Sequence, residues 1–323
     1  MFALHPHIVA LVEKFYLDQG ILCFTDEAGR GYPYSRSAKT LANNLSSRLG
    51  PNTTIYLDTS VSRVEPQTQG FLVDGKHYDK VIITTGSSAY YPHFNLANNN
   101  DHLLTALGLA TTKFYPTSGP LMIEENLQRI ENEKVKALLT ITKDNSVLTS
   151  EDGEILFKRD SLSGIASFIA HSRLVWDYRK EKSSDYVAHL NLINGDEERV
   201  FKLIEHRKMN GRVLEGIFSE ALNDYLLLRL DKNFKVADVM ALLTDVRFNI
   251  RPNFFLTQER GQIMSGGVKV EQINPHTFAT IKNSNLYLGG EVLDIDGVSG
   301  GYNLMFALYS ALVIAKDIID KRC

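Results

Sequence analysis

Cysteine is nearly missing from this chain. Cys23 and Cys323 are the two in 323 residues, at opposite ends and outside any C-x-x-C spacing. That excludes a disulfide framework, a thiolate zinc centre and a redox dithiol, and a reducing cytoplasm is the expected location. Charge of one sign is also lacking: 35 lysines and arginines face 38 aspartates and glutamates, the net charge is -3, and no basic run reaches five residues. The electrostatic footprint of a nucleic-acid or anionic-lipid binder is absent. Long hydrophobic runs are few. The longest, residues 304–315, is broken by Tyr309 and Ser310. It falls short of the ~20 residues a membrane span needs and reads as a buried helix. Met1 is followed by Phe-Ala-Leu-His-Pro-His, without a basic segment or a small-residue cleavage site, so no signal peptide is expected. Histidine pairs closely only at His5-x-His7, with no carboxylate or thiolate nearby, and no metal site is expected. There is no Gly-x-Ser-x-Gly elbow and no compact Ser/His/Asp arrangement.

What is present is a globular composition, 44% hydrophobic and 23% charged, long enough for two domains. Ile8, Leu11, Val12 and Phe15 repeat at helical spacing before Gly20, which predicts a helix over 7–18, then a strand at 21–24. Leu41, Leu45 and Leu49 predict a second helix over 37–49. Strand-like runs follow at 54–57, 61–64, 70–73 and 80–84. Helix, strand, a small antiparallel insertion and an apolar strand ending in Thr-Thr-Gly make the pattern of an α/β nucleotide-binding sheet with a β-ribbon crossover. The middle of the chain differs. Strands at 135–142 and 188–193 alternate with polar helices at 197–208 and 235–245, and 180–185 reads as an exposed loop. From Gly261 the α/β character returns, with a strand at 285–288 and a closing helix over 303–321. Trp176 with Tyr178, and Phe254 with Phe255, read as packing residues.

The most informative stretch is 285–307, NLYLGGEVLDIDGVSGGYNLMFA. A strand runs into Gly289-Gly290, Glu291 follows, and Gly300-Gly301 opens an apolar helix. Glycines remove the β-carbons that would keep backbone away from a ligand, and a helix N-terminus turns unpaired N–H groups towards an electron-rich group such as a flavin pyrimidine edge. Glu291, just after the strand, is placed to accept hydrogen bonds from sugar-like hydroxyls. The alternative is that these glycines only make tight turns. Asp294 and Asp296 read as acceptors for backbone donors in the same loop.

Residues 264–278 (MSGGVKVEQINPHTF) and 286–308 (LYLGGEVLDIDGVSGGYNLMFAL) resemble the C-terminal signature of the BaiN-like, or aminoacetone-oxidase-like, NAD(P)/FAD-dependent oxidoreductases. Residues 29–35 (GRGYPYS) are similar to that family's GR-x-FP-x-S, and 81–86 (VIITTG) to its VILATG. The resemblance covers nearly the whole chain. It implies an α/β fold: a discontinuous, Rossmann-like FAD/NAD(P)-binding domain made of 1–111 and 259–323, with an inserted α+β domain at 112–258. It also implies that Thr85 and Gly86 approach the cofactor and that Val61, on the crossover strand, touches adenine. By the same resemblance Gly266 and Gly267 lie beside the isoalloxazine ring. Gly290 and Glu291 are placed at the ribityl chain, and Gly300, Gly301, Tyr302 and Asn303 present backbone at the pyrimidine edge.

The chain departs from the family in lacking the opening strand, G-x-G-x-x-G and helix, the unit that sets FAD pyrophosphate at a helix N-terminus. Ser87 replaces the glycine usual after ATG, and 158–167 retains Ser163 and Gly164 of the family's TH-x-G-x-SGPA but loses its histidine and proline. The implied activity is passage of electrons from NAD(P)H through FAD to a small organic substrate held between flavin and the inserted domain. No side chain is assigned as the catalyst, because the cofactor performs the electron transfer. Two rivals stand beside it. One is a degenerate relative that has lost FAD and acts as a binding module. The other is half of a split enzyme whose βαβ unit lies on a separate chain, with self-association through the apolar surface that unit would cover.

Overall fold

The computed structural model describes residues 6–26, 29–87, 89, 100–182, 185–252 and 261–321. The chain divides into two units, one made of residues 1–114 and 264–323, the other of 115–263.

The first unit opens with helix α1 (Pro6–Asp18), whose Val12 is buried. Strands β1 (Cys23–Thr25) and β2 (Gly31–Pro33) pair antiparallel. Helix α2 (Ala38–Ser47) starts at Ser37, whose hydroxyl accepts the Thr40 N–H at 3.1 Å, an N-cap that takes up one of the donors a helix start leaves free. Residues 54–57, expected as a strand, form none: Ile55, Tyr56 and Leu57 are exposed, and no strand takes their main-chain groups among the described residues. Apolar and β-branched residues make a strand only where a neighbour completes the ladder. The strand expected from Val61 begins three residues later, as β3 (Val64–Pro66). The Asp74 carboxylate accepts from the Ser62 N–H and hydroxyl and the Arg63 N–H, taking the donors a ladder would have used. Strand β3 then joins β4 (Phe71–Val73) and β5 (Lys76–Tyr78) in an antiparallel meander. Strand β6 (Val81–Ile83), helix α3 (Asn100–Ala106) and strand β7 (Thr111–Thr117) complete the first pass.

The second unit is built on an antiparallel sheet. Its strands are β8 (Leu121–Met122), β9 (Lys134–Lys143), β10 (Ser146–Lys158), β11 (Ser161–Ser163), β12 (Tyr186–Asn191) and β13 (Val246–Asn249), in the order β13-β12-β9-β10-β11-β8. Val135, Ala137, Leu139 and Ile141 alternate inward along β9 and meet Ala166, Ala170 and Leu174 of helix α4 (Ile165–Glu181) in one core. Helices α5 (Glu197–Ile204), α6 (Glu220–Leu227) and α7 (Val236–Thr244) add Val200, Leu222, Leu226 and Val239 to it. Helix α4 runs into the stretch read as a loop at 180–185, of which 183–184 lie outside the described residues, as do Phe254, Phe255 and Cys323.

The chain returns to the first unit along β14 (Ile263–Val268), which pairs with β7. Strand β15 (Leu286–Leu288) and helix α8 (Tyr302–Asp320) follow. Strand β15 pairs parallel with β6, Leu286 beside Val81 and Leu288 beside Ile83. Phe71, Leu104, Val268, Tyr287, Leu288 and Val292 form the core here. Helix α8 corrects an expectation. The apolar run read as a buried helix lies in a longer, 19-residue helix in which Ser310 and Ile314 are buried, while Leu304 is 78% and Ile319 61% exposed. By length and composition alone α8 could cross a membrane, because the helix extends past the apolar run at 304–315. Its Phe306, Tyr309, Val313 and Ile318 are spent on packing against the core of the first unit.

Candidate functional site

The parallel pairing of β6 and β15 decides where the candidate residues meet. Lys80 Nζ donates to Asn285 Oδ1 at 2.9 Å where the pair begins, and the Gly289 N–H extends the ladder to the Ile83 carbonyl at 3.1 Å where it ends. Both strands therefore leave the sheet together, β6 into Thr84-Thr85-Gly86-Ser87 and β15 into Gly289-Gly290-Glu291. Ligands of open α/β sheets bind outside such carboxyl ends.

Glu291 is the charged group at this point. Its Oε1 accepts the Met264 N–H at 2.9 Å, and the Ser87 hydroxyl donates to the same carboxylate. Burial raises its pKa above the ordinary glutamate value, the nearby Asp296 pushes in the same direction, and the Met264 and Ser87 donors partly offset both. Ser87, which in sequence stood out only as a replaced glycine, thus holds the Glu291 carboxylate. Glu291 keeps acceptor capacity beyond these two donors, since an ionised carboxylate has about four lone-pair sites. Gly290 is more committed than its sequence reading implied: it is buried, and its N–H donates to Ser310 Oγ of α8 at 3.0 Å.

Ahead of α8 the chain takes backbone conformations closed to most side chains. Gly300 has φ +131° and Gly301 φ +92°. A Cβ on Gly301 would meet nothing within 4 Å, so neighbouring atoms do not dictate glycine there. No side chain caps Gly301, and the first N–H bonded within the helix is that of Met305, to the Gly301 carbonyl at 3.0 Å. The N–H groups of Tyr302, Asn303 and Leu304 have no acceptor within the helix, and they carry the positive end of its dipole. Open space, free donors and a nearby carboxylate fit the pyrimidine edge and ribityl chain of a flavin.

The remaining candidates divide. Gly266 and Gly267 are buried in β14, and a Cβ on either would come to 2.6 Å from a carbonyl oxygen, that of Lys113 for Gly266 and of Val292 for Gly267. Close packing of backbone on backbone already requires glycine at both. Thr85 and Gly86 lie in the segment that follows β6, just before Ser87. Val61 lies on the exposed coil before β3, outside the hydrogen bonds that gather Ser87, Met264 and Glu291. Asp294 and Asp296 accept from hydroxyls, Thr112 Oγ1 to Asp294 Oδ2 and Ser265 Oγ to Asp296 Oδ1, both at 2.8 Å. Sequence reading had given them backbone donors in their own loop. Thr112 and Ser265, on β7 and β14, were not singled out in the sequence, because a lone hydroxyl residue in a strand carries no pattern. Among the described residues, no group of three histidine, cysteine or acidic side chains could hold a metal ion.

The family described as HI0933-like protein Rossmann domain matches residues 5–317. The 3-dehydro-bile acid delta(4,6)-reductase of Clostridium scindens is 25% identical over 320 residues, covering 91% of this chain and 76% of that protein. The ribosomal RNA dihydrouridine synthase of Escherichia coli is 25% identical over 288 residues, covering 83% of this chain and 68% of that protein.

Proposed function

This chain belongs to the HI0933-like Rossmann family, and from that premise we propose that it is a flavin-dependent oxidoreductase that reduces a small organic molecule. One observation carries the reading. The carboxyl ends of β6 and β15 emerge together and bring Ser87 and Glu291 into one hydrogen-bonded group, and the same loop leads on to the uncapped, glycine-led start of α8. When bound, FAD would supply hydride transfer, drawing on NAD(P)H and delivering to an organic acceptor. The protein's share is to hold and orient. The Tyr302, Asn303 and Leu304 N–H groups would donate to the pyrimidine edge, Glu291 would accept from ribityl hydroxyls, and Gly86 and Gly301 would leave room for the ring.

The relatives' names narrow the substrate class. A delta(4,6)-reductase of a 3-dehydro-bile acid and a synthase of dihydrouridine both add hydrogen to a carbon–carbon double bond conjugated to a carbonyl. An acceptor of that kind is the proposed substrate here. A small molecule is favoured over RNA because the net charge is -3 and no basic run occurs.

The test is spectroscopic. Purified protein is mixed with FAD, freed of excess, and read for flavin absorbance near ~450 nm, then titrated anaerobically with NADH or NADPH. Bleaching, followed by recovery of colour on adding a conjugated enone, is the expected result. Protein that retains no flavin refutes the reading. Bound flavin that NAD(P)H bleaches but an enone does not reoxidise refutes the substrate class alone.

A further inference from the structure

We infer that Asn303 is a positioning residue whose side-chain amide sets the loop 297–301 in the shape that leaves the first N–H groups of α8 open to the flavin. The inference rests on the flavin reading and goes beyond it, because that reading gave Asn303 only its backbone N–H. The side chain has a separate task. Its Oδ1 accepts the Gly297 N–H at 2.9 Å and its Nδ2 donates to the Gly297 carbonyl at 3.0 Å. One amide thus satisfies both main-chain groups of Gly297, as a partner strand would, and closes residues 297–303 into a ring.

The neighbouring geometry depends on that closure. A Cβ on Gly297 would lie 2.7 Å from Tyr302 Cβ, so Gly297 lets the first turn of α8 come down on it, with Tyr302 and Asn303 both in contact. The upstream end of the loop is tied separately: the Asp294 N–H to the Val268 carbonyl at 2.9 Å, Asp294 to Thr112, and Asp296 to Ser265. Between these anchors and the Asn303 clip only Val298, Ser299 and the Gly300-Gly301 pair remain to be shaped.

The choice of residue carries the argument further. Helix starts are usually satisfied by a Ser, Thr, Asp or Asn at the N-cap, whose oxygen takes the N–H of the second or third residue. Here the cap is glycine, and the asparagine two positions later turns its side chain back onto the loop. The loop is fixed without using a single N–H of the first turn. A protein that needed only a stable helix start would gain more from an Asn or Ser at 301; this arrangement keeps the donors for something else.

The test compares the full wild-type chain with N303D and N303A by three measurements: thermal unfolding without flavin, FAD affinity from quenching of flavin fluorescence, and the reduction potential of the bound flavin. In N303D the carboxylate still accepts the Gly297 N–H but repels the Gly297 carbonyl. Its charge favours the first turn of the flavin-free helix. The expected result is an unfolding temperature at or above that of wild type, with FAD affinity about tenfold weaker and the potential lowered. A tenfold preference lost for reduced over oxidised flavin is about 30 mV for a two-electron couple. N303A should weaken FAD to a similar degree at temperatures well below its own unfolding. Wild-type affinity and potential in both variants would overturn the inference and leave the flavin reading standing. So would affinity losses that simply follow the unfolding temperatures. A wild-type chain that takes up no FAD would overturn both.

Discussion

Substituting alanine at Gly267 and, separately, at Gly301 splits two reasons for a glycine that look the same in sequence. At Gly267 the new Cβ would sit 2.6 Å from the Val292 carbonyl oxygen, 2.8 Å from Leu293 C and 3.0 Å from Asp294 N, on backbone at φ +131°. All three neighbours are main chain, so no side chain can swing away. Overpacking of a tight core costs roughly 1–3 kcal/mol, and the positive φ adds about 1–3 kcal/mol more. Gly267→Ala should therefore destabilise the first unit by about 4 kcal/mol. At about 2–4 °C per kcal/mol for a body of this size, its unfolding transition should fall by about 8–16 °C. At Gly301 the Cβ meets nothing within 4 Å, which leaves only the left-handed backbone to cost about 1–2 kcal/mol. Gly301→Ala should melt within about 2–8 °C of wild type. It should also bind FAD at least about tenfold more weakly, because the methyl projects into the space a ligand would fill. Calorimetry of the flavin-free proteins together with a fluorescence titration reads both quantities. A Gly267→Ala protein within about 1 kcal/mol of wild type would refute the packing argument, and a Gly301→Ala protein with unchanged FAD affinity would refute the cradle.

Three further outcomes follow from the same geometry. Glu291→Ala removes the acceptor proposed for the ribityl hydroxyls and should weaken FAD by about tenfold or more; unchanged affinity in the titration would remove that assignment. His171 is buried on α4, with its Nδ1 accepting the Gly119 N–H at 3.0 Å, and burial lowers its pKa from 6.5 to about 4. The unfolded chain therefore binds a proton the folded chain refuses between those values. The stability held above about pH 6.5 is lost as the pH falls towards 4, by up to about 3 kcal/mol. Denaturant unfolding of wild type and His171→Phe at pH 7.5 and 4.5 should show a smaller loss in the variant, and equal losses would exclude His171 as the source. Lys143, nearly buried, donates to Asp177 at 2.8 Å and also pairs with Glu181, while the Tyr186 hydroxyl donates to the same Asp177 oxygen. Lys143→Met leaves that carboxylate with the Tyr186 donor but without the lysine's charge and should cost about 3 kcal/mol, whereas a loss below about 0.5 kcal/mol, typical of surface changes, would show that solvent reaches Asp177.

What sequence reading recovered follows the strength of local pattern. The spacing of Ile8, Leu11, Val12 and Phe15 marked α1, and the Gly-Gly pairs with Glu291 between them marked the end of β15 and the start of α8, because each signal lies within one short stretch. Helix α4 escaped notice. Ala166, Ser167, Ala170, His171, Ser172, Leu174 and Val175 are all buried along it, so no single apolar stripe stands out against a polar face. Residues 54–57 failed in the opposite sense: a strand-like composition had nothing to pair with. The clip from Asn303 to Gly297 and the bond from Ser87 to Glu291 were illegible, since each depends on where folding puts one side chain. A replaced glycine at 87 was visible in the sequence, but not what the serine would touch.

The parallel pairing of β6 with β15 also bears on the order in which the molecule can be made. Residues 115–263 are one continuous stretch and form one compact unit, and such units generally fold as they are synthesised. Strand β6 is synthesised long before its neighbour and must wait through that whole segment for β15, a loop closure that costs entropy before it returns any contact. Until then Ile83 and the turn through Ser87 have neither the Gly289 N–H nor Glu291 to meet. A nascent chain halted before residue 286 should therefore carry a folded second unit and an unformed site.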